Sequence, residues 1–302
     1  MKKITALMLC AILLISFAAC GTNPASGPSG SEGAPVGSQS AQENTDKDAQ
    51  ETAGEVVKKD LIVFAAASMT ETLNEIKAMY EKDNPGVNLL YSFGSSGTLK
   101  TQIEEGAPCD LFISAGQKQM NQLDITASKE VNTAGLDFVK EGTRINILEN
   151  KVVLVVPAEN KKEIKTFDAL AEALKNGSVL MAMGNSDVPV GQYTQKILKY
   201  YNLDEEELSK KGVISYGSDV KEVTTQVTAA SVDCGVVYCT DAFSAGLTVV
   251  DSATAEMCGQ IIYPAAVMKN STQPEAAQAF LNYLTSDEAM AVFEAVGFSP
   301  VK

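Results

Sequence analysis

Leu61 to Ile76, LIVFAAASMTETLNEI, is the stretch that most narrows the folds open to this chain. Leu61 to Phe64 are apolar without alternation, as in a strand buried on both faces, and Ala65 to Ala67 keep side chains small where the backbone turns. Ser68 with Glu71 makes an S-x-x-E capping box, which predicts a helix that starts at Ser68 and buries Leu73, Ile76, Met79 and Tyr80. A buried strand running straight into a helix is the unit of an open α/β sheet. Such sheets bind ligands beyond the carboxyl ends of their strands, where helix N-termini attract anions.

The unit recurs. Asn84-Pro85-Gly86 forces a turn, Val87 to Phe93 reads as a second strand, and Gly94-Ser95-Ser96-Gly97-Thr98 leads into Leu99, Gln102 and Ile103 at helical spacing. Val179 to Met183 is followed by Gly184 to Gln192 and a helix carrying Tyr193, Ile197, Leu198 and Tyr201, with Pro189 suited to its first turn. Tyr216-Gly217-Ser218-Asp219 precedes a helix through Val223 and Val227, capped by Ser218 or Asp219. The predicted helix starts therefore fall at Ser68, Ser96, Val190 and Val220, two in each half of the folded region. If the halves are lobes facing one another, these N-termini converge on a cleft.

Other elements fill in around them. Asp110 to Ala115, Val236 to Cys239 and Ile261 to Met268 read as strands, and Lys151 to Val156 as a central strand or a crossover between lobes. Phe167 to Leu174 is a helix capped by Thr166, and Ala276 to Leu284 and Ala289 to Val296 close the chain as amphipathic helices. Met120 to Glu149 reads only as a helix and a connecting segment.

The N-terminal part is of another kind. Lys2 and Lys3 precede the apolar run Ile4 to Ala19, so residues 1–19 read as a secretory signal, too short for a stable transmembrane helix. FAAC, ending at Cys20, resembles a bacterial lipobox, whose cysteine becomes the lipidated first residue; two acyl chains hold a protein stably on a membrane. Residues 20–59, rich in Gly, Ser, Pro, Ala, Gln and Glu, form a flexible tether behind that cysteine. The expected location is extracytoplasmic, at the cell surface or in the periplasm, anchored to the membrane.

Composition removes several functions. A formal net charge of −14 is wrong for nucleic acid, which demands a basic face. The absence of histidine removes Ser-His-Asp and Cys-His catalysis and the commonest metal ligand, so no catalytic or metal-ligating residue is assigned. A secreted serine hydrolase is a remote alternative, because GSSG lacks the G-x-S-x-G spacing and Ser96 forms no S-x-x-K with Lys100. Four cysteines lie in the folded part. Cys234 and Cys239 would stand about 16 Å apart along a strand, too far to bridge each other, and pairings with Cys109 or Cys258 stay open.

The segments AAASMTETL, YSFGSSGTLKTQIEEGAPCDLFISA, VPVGQY, GSDVKEV, GVVYCTDA and YPAAVMK, in this order and spacing, resemble the molybdate-binding proteins of ABC transporters, periplasmic or lipid-anchored. The similarity runs from about Leu61 to Phe298. It implies an α/β, two-lobed periplasmic-binding-protein fold of type II, with residues 60–147 and 261–302 in lobe I, 148–260 in lobe II, and a cleft that closes over a tetrahedral oxyanion. Carried over position by position, the ligand-contacting groups are the hydroxyls of Ser68 and Ser96, the amides of Val190 and Val220, and the phenol of Tyr238. The implied ligand is molybdate or tungstate and the implied partner a membrane permease with a cytoplasmic ATPase; no cofactor is implied, and the chain is expected to be a monomer. A sulfate or phosphate receptor on the same fold is the alternative. Gly97, Val190 and Cys109 depart from the residues usual in that family. With no histidine, oxyanion affinity is expected to be nearly flat between about pH 6.5 and 8.

Overall fold

The structure, a computed structural model, describes residues 58–301; the expected signal, Cys20 and nearly all of the tether lie outside them. The chain first lays down β1 (Lys59–Ala66), β2 (Val87–Gly94), β3 (Leu111–Ile113) and β4 (Ile145–Asn150) in one sheet. It crosses to a second sheet for β5 (Val152–Val156), β6 (Met181–Gly184), β7 (Ile214–Gly217), β8 (Cys234–Tyr238) and β9 (Thr248–Ser252), then returns to the first for β10 (Ile261–Val267) and β11 (Ser299–Pro300). Strand order is β11-β4-β10-β3-β1-β2 in the first sheet and β7-β6-β8-β5-β9 in the second. The outward crossover falls at Lys151, three residues beyond the expected boundary, because β4 keeps residues 148–150 in the first sheet.

Both sheets are mixed in the same manner. β1 runs parallel to β2 and β3, and β6 parallel to β7 and β8, as strand-helix-strand units require. The crossover strands are the antiparallel ones: β10 against β3 and β4, β5 against β8 and β9. Every residue of β5, VVLVV, and of β10, IIYPAAV, is buried, which accounts for their uninterrupted apolar runs. Pro264 has no N–H to give the ladder, and the register between β10 and β4 slips between Tyr263 and Pro264.

Helix starts follow the turn chemistry with one correction. Ser95 caps the helix Ser96–Glu104 by accepting from the Thr98 N–H at 3.1 Å, Thr166 caps Phe167–Lys175, Asp219 caps Val220–Thr228, and Pro189 occupies the first turn of Pro189–Tyr200. Ser68 does not cap. It sits inside a single 3-10 turn, Ala67–Met69, and the α-helix begins at Thr70. The extra turn swings the Ser68 hydroxyl into the interior, 3.0 Å from the Tyr263 phenol, and sends Glu71 outward to Lys221. The expected connecting segment before Asn150 contains β4, whose Asn146 and Glu149 interrupt its apolar pattern. β9 also went unread, being a largely exposed edge strand.

All four cysteines of the described region are free, which closes the pairings left open by their spacing. Among the described residues no helix is long and apolar enough to cross a membrane. In the first lobe, Phe280 is fully buried and meets the Tyr80 ring edge-on at 4.9 Å, tying the C-terminal helices to the helix Thr70–Asp83. Phe280→Ala should cost ~3–5 kcal/mol and lower the unfolding midpoint by roughly 10 °C, read by calorimetry. A shift under about 2 °C would mean that this contact does not hold the lobe together.

Candidate functional site

The turns after β1 and β2 face the turn after β6, the start of the helix at Val220 and the end of β8 across a hollow of about 10 Å³. The first lobe lines it with Ser68, Ser95, Ser96 and Ala115, the second with Val188, Pro189, Val220 and Tyr238. Four of the five expected residues thus meet at one place. Val190 stands just behind the wall, fully buried, where Val188 and Pro189 form the surface. Because Pro189 has no N–H, the first amides of that helix belong to Val190 and Gly191. Only glycine fits at 191, since a Cβ there would lie 2.2 Å from the Gly184 carbonyl oxygen.

Hydrogen bonds set what these groups can offer. The Ala115 N–H donates to Ser96 Oγ at 3.0 Å, so the serine's own proton is free to point into the hollow. The Ala115 carbonyl accepts from the Tyr238 phenol at 3.1 Å, so one residue, through its two flanking peptides, joins the two lobes. Tyr238 is 1% exposed, and burial drives its pKa well above the usual phenol value, as do the neighbouring phenols of Tyr263 and Tyr193. It stays protonated. To donate to a guest, it must first release Ala115.

A second bridge joins the lobes at the rim, where the Gly97 N–H donates to the Asp187 carbonyl at 3.0 Å. A Cβ at 97 would lie 2.3 Å from that oxygen, which gives a physical reason for the departure to glycine noted in the sequence. The third is ionic: Lys221 Nζ reaches Glu71 Oε2 at 2.7 Å across the cleft and Asp241 Oδ1 at 3.2 Å within its own lobe.

Among the described residues no lysine or arginine lines the hollow. Lys221 adjoins Val220, but its ammonium is shared between two carboxylates, which outweigh burial and raise its pKa. Asp241 is completely buried, and neither of its oxygens receives a directed hydrogen bond. Burial pushes its carboxyl up to about 7, against the pull of Lys221. A group that titrates near neutrality therefore lies beside the site despite the lack of histidine. A wider depression of about 420 Å³ opens nearby, bordered by Lys118, Lys196, Lys199 and glutamine side chains, without a comparable set of buried donors.

Sequence reasoning missed Ser95, Ala115, Asn150, Asp241 and Tyr263. Ser95 was visible in the same Gly-Ser-Ser-Gly turn; the others join the site only through pairing distant in sequence.

Two α/β lobes, joined by antiparallel crossovers and meeting over a small hollow lined by hydroxyls and helix N-termini, define a periplasmic-type ligand-binding protein. Residues 61–299 match the family model of the bacterial extracellular solute-binding proteins, and the chain belongs to that family. It is 36% identical over 268 residues to a Bacillus subtilis protein provisionally named an ABC transporter substrate-binding lipoprotein, covering 87% of this chain and 92% of that one. It is 35% identical over 242 residues to the molybdate-binding protein ModA of Haemophilus influenzae, covering 78% and 89%. The solved periplasmic molybdate-binding protein of Azotobacter vinelandii shares the fold, with a TM-score of 0.67 at 22% identity over 80% of this chain and all of that one. The family comprises extracytoplasmic binding components and not enzymes, which sets the hydrolase reading aside.

The buried carboxylate has a measurable consequence. Asp241 holds its proton up to about 7 in the folded protein but releases it near 3.9 when unfolded. The native state binds more protons between these values, so this group's contribution to stability falls as pH rises through that window and levels off above it. Relative to Asp241→Asn, the native protein should lose on the order of a few kcal/mol between about pH 4 and 7.5, read as a widening gap in unfolding midpoints. A gap that stays constant with pH would show that Asp241 is ionised throughout.

Proposed function

We propose that this chain captures molybdate or tungstate outside the cytoplasm and delivers it to an ABC permease. The observation that carries the reading is the hollow itself, a small space faced by neutral donors from both lobes and by no cationic side chain. Ser68 and Ser96 donate through hydroxyl and amide, Val190 and Val220 through helix-N-terminal amides, and Tyr238 through its phenol once it leaves Ala115. The names of the relatives add support, since the Haemophilus protein is a molybdate-binding protein.

The energetics allow it. A hydrogen bond to a charged acceptor contributes ~1.5–3 kcal/mol net, and several of them, after desolvation and lobe ordering, leave about −8 to −12 kcal/mol, micromolar to nanomolar affinity. Repulsion from the acidic surface is screened beyond about 8 Å at physiological salt, so local dipoles win inside the cleft. Phosphate, which carries a proton, would call for an acceptor, and neither Asp187 nor Asp219 lines the hollow.

In the same reading residues 60–150 with 261–302 and residues 151–260 act as the two closing lobes, and Cys20 carries the lipid that keeps a monomer at the membrane. The Bacillus relative, provisionally named a lipoprotein, supports the anchor.

A thermal-shift series with molybdate, tungstate, sulfate and phosphate tests the ligand. At a hundred times its dissociation constant the right oxyanion adds ~2.7 kcal/mol, a rise of several degrees. A response to phosphate alone would overturn the reading. Ser68→Ala should weaken molybdate binding about 10-fold to 150-fold by titration calorimetry, and unchanged affinity would remove Ser68 from the site.

A further inference from the structure

Behind Ser68 runs a chain of buried hydrogen bonds whose direction is set at its far end. Asn150 Oδ1 lies 2.7 Å from the Lys151 backbone nitrogen, which can only donate. The Asn150 amide is thereby oriented, and its NH2 group donates to Tyr263 Oη at 3.1 Å and to Thr240 Oγ1 at 3.0 Å. The one other hydrogen-bond partner of Tyr263 Oη among the described residues is Ser68 Oγ, at 3.0 Å. The phenol must place its proton there or leave a fully buried O–H unpaired, which is costly. Burial, reinforced by the Asp241 carboxylate, keeps Tyr263 protonated at any physiological pH.

We propose that Asn150 and Tyr263 are positioning residues that lock the Ser68 hydroxyl as a donor into the hollow. The proposal rests on reading that hollow as an oxyanion site. Once Tyr263 donates to Ser68 Oγ, the serine's proton is left for a guest, since Ser68 Oγ has no second hydrogen-bond partner among the described residues. The register of β10 slips between Tyr263 and Pro264, at the residue whose phenol reaches the turn after β1. Ser96 obeys the same logic with a simpler part: the Ala115 N–H donates to one lone pair of its hydroxyl oxygen and leaves its proton free for the hollow. Both serines are thus committed to donating.

A double-mutant cycle on the full chain separates positioning from packing. Molybdate affinity is measured by calorimetry for the wild type, Ser68→Ala, Tyr263→Phe and the double variant, with unliganded unfolding midpoints to verify folding. If Tyr263 acts through the serine hydroxyl, Tyr263→Phe weakens binding about 5-fold to 50-fold in the wild-type background and less than about 2-fold in Ser68→Ala. Equal losses in both backgrounds, or none in the wild type, overturn the proposal. Asn150→Asp supplies a second arm at nearly constant volume. Its carboxylate accepts the Tyr263 proton, reverses the chain and forces Ser68 to donate backwards, so affinity should fall about as far as in Ser68→Ala; an unaffected affinity overturns the proposal. Wild-type protein that binds neither molybdate nor tungstate overturns the oxyanion reading and this inference with it, whereas a wild type that binds while the cycle is additive overturns the inference alone.

Discussion

Everything at the cleft depends on the backbone of Ala115, whose N–H donates to Ser96 in its own lobe and whose carbonyl accepts a hydrogen bond from Tyr238 in the other. The residue cannot move without disturbing both bonds. Its position follows from β3, which pairs with β1 on one side and β10 on the other and leaves Ala115 just past its carboxyl end. The inner strands of the two sheets thus set the distance between Ser96 and Tyr238, and the loops only finish the site. Buried phenols pack behind it: Tyr238 meets Tyr263 and Tyr193 edge-on at 5.7 and 6.4 Å, so the side chain that touches Ala115 is held by rings on both sides.

A chain with a net charge of −14 that binds an anion must avoid two errors. It must not present a carboxylate to the guest, and it must not trap the guest on a fixed cation from which release is slow. Asp187 meets the first demand by turning its backbone carbonyl, not its carboxylate, to Gly97. Lys221 meets the second. Its ammonium lies between Glu71 and Asp241, so the Val220 amide next to it is left to act as a neutral donor at a helix N-terminus. Attraction then comes from groups that lose little when the lobes separate, which suits a carrier that has to give its cargo away.

Much of this was legible in the sequence because local chemistry and global fold agree along most of the chain. The turns at Ser96, Pro189 and Val220 carry their own signals, a serine or aspartate cap or a proline in the first turn, and these signals do not depend on what packs against them. Ser68 was misread as a cap for the opposite reason. Its S-x-x-E pattern is locally valid, and a tertiary partner, Tyr263, outcompetes the local bond. β4 was missed because Asn146 and Glu149 interrupt its apolar run and it ends on Asn150, polar in sequence yet 7% exposed in the structure, where it orients Tyr263. Polar residues buried for the sake of a site break the pattern from which strands are read. In this protein such a break marks function as well as a limit of pattern reading.

Asp241 is the extreme case of that rule. A fully buried carboxylate without a directed hydrogen bond is expensive, and a hydrophobic residue there would make a more stable lobe. Its position explains the cost. Asp241 follows Tyr238 by three residues, in the helical turn Cys239–Ser244, and it holds the inner side of Lys221 while Glu71 holds the outer side across the cleft. Glu71 belongs to the first lobe and Asp241 to the lysine's own, so Asp241 is the partner that does not depend on the contact across the cleft. Because its carboxyl is pushed up to about 7, this partner carries its full charge only above neutrality, and the charge beside Val220 is set within one lobe.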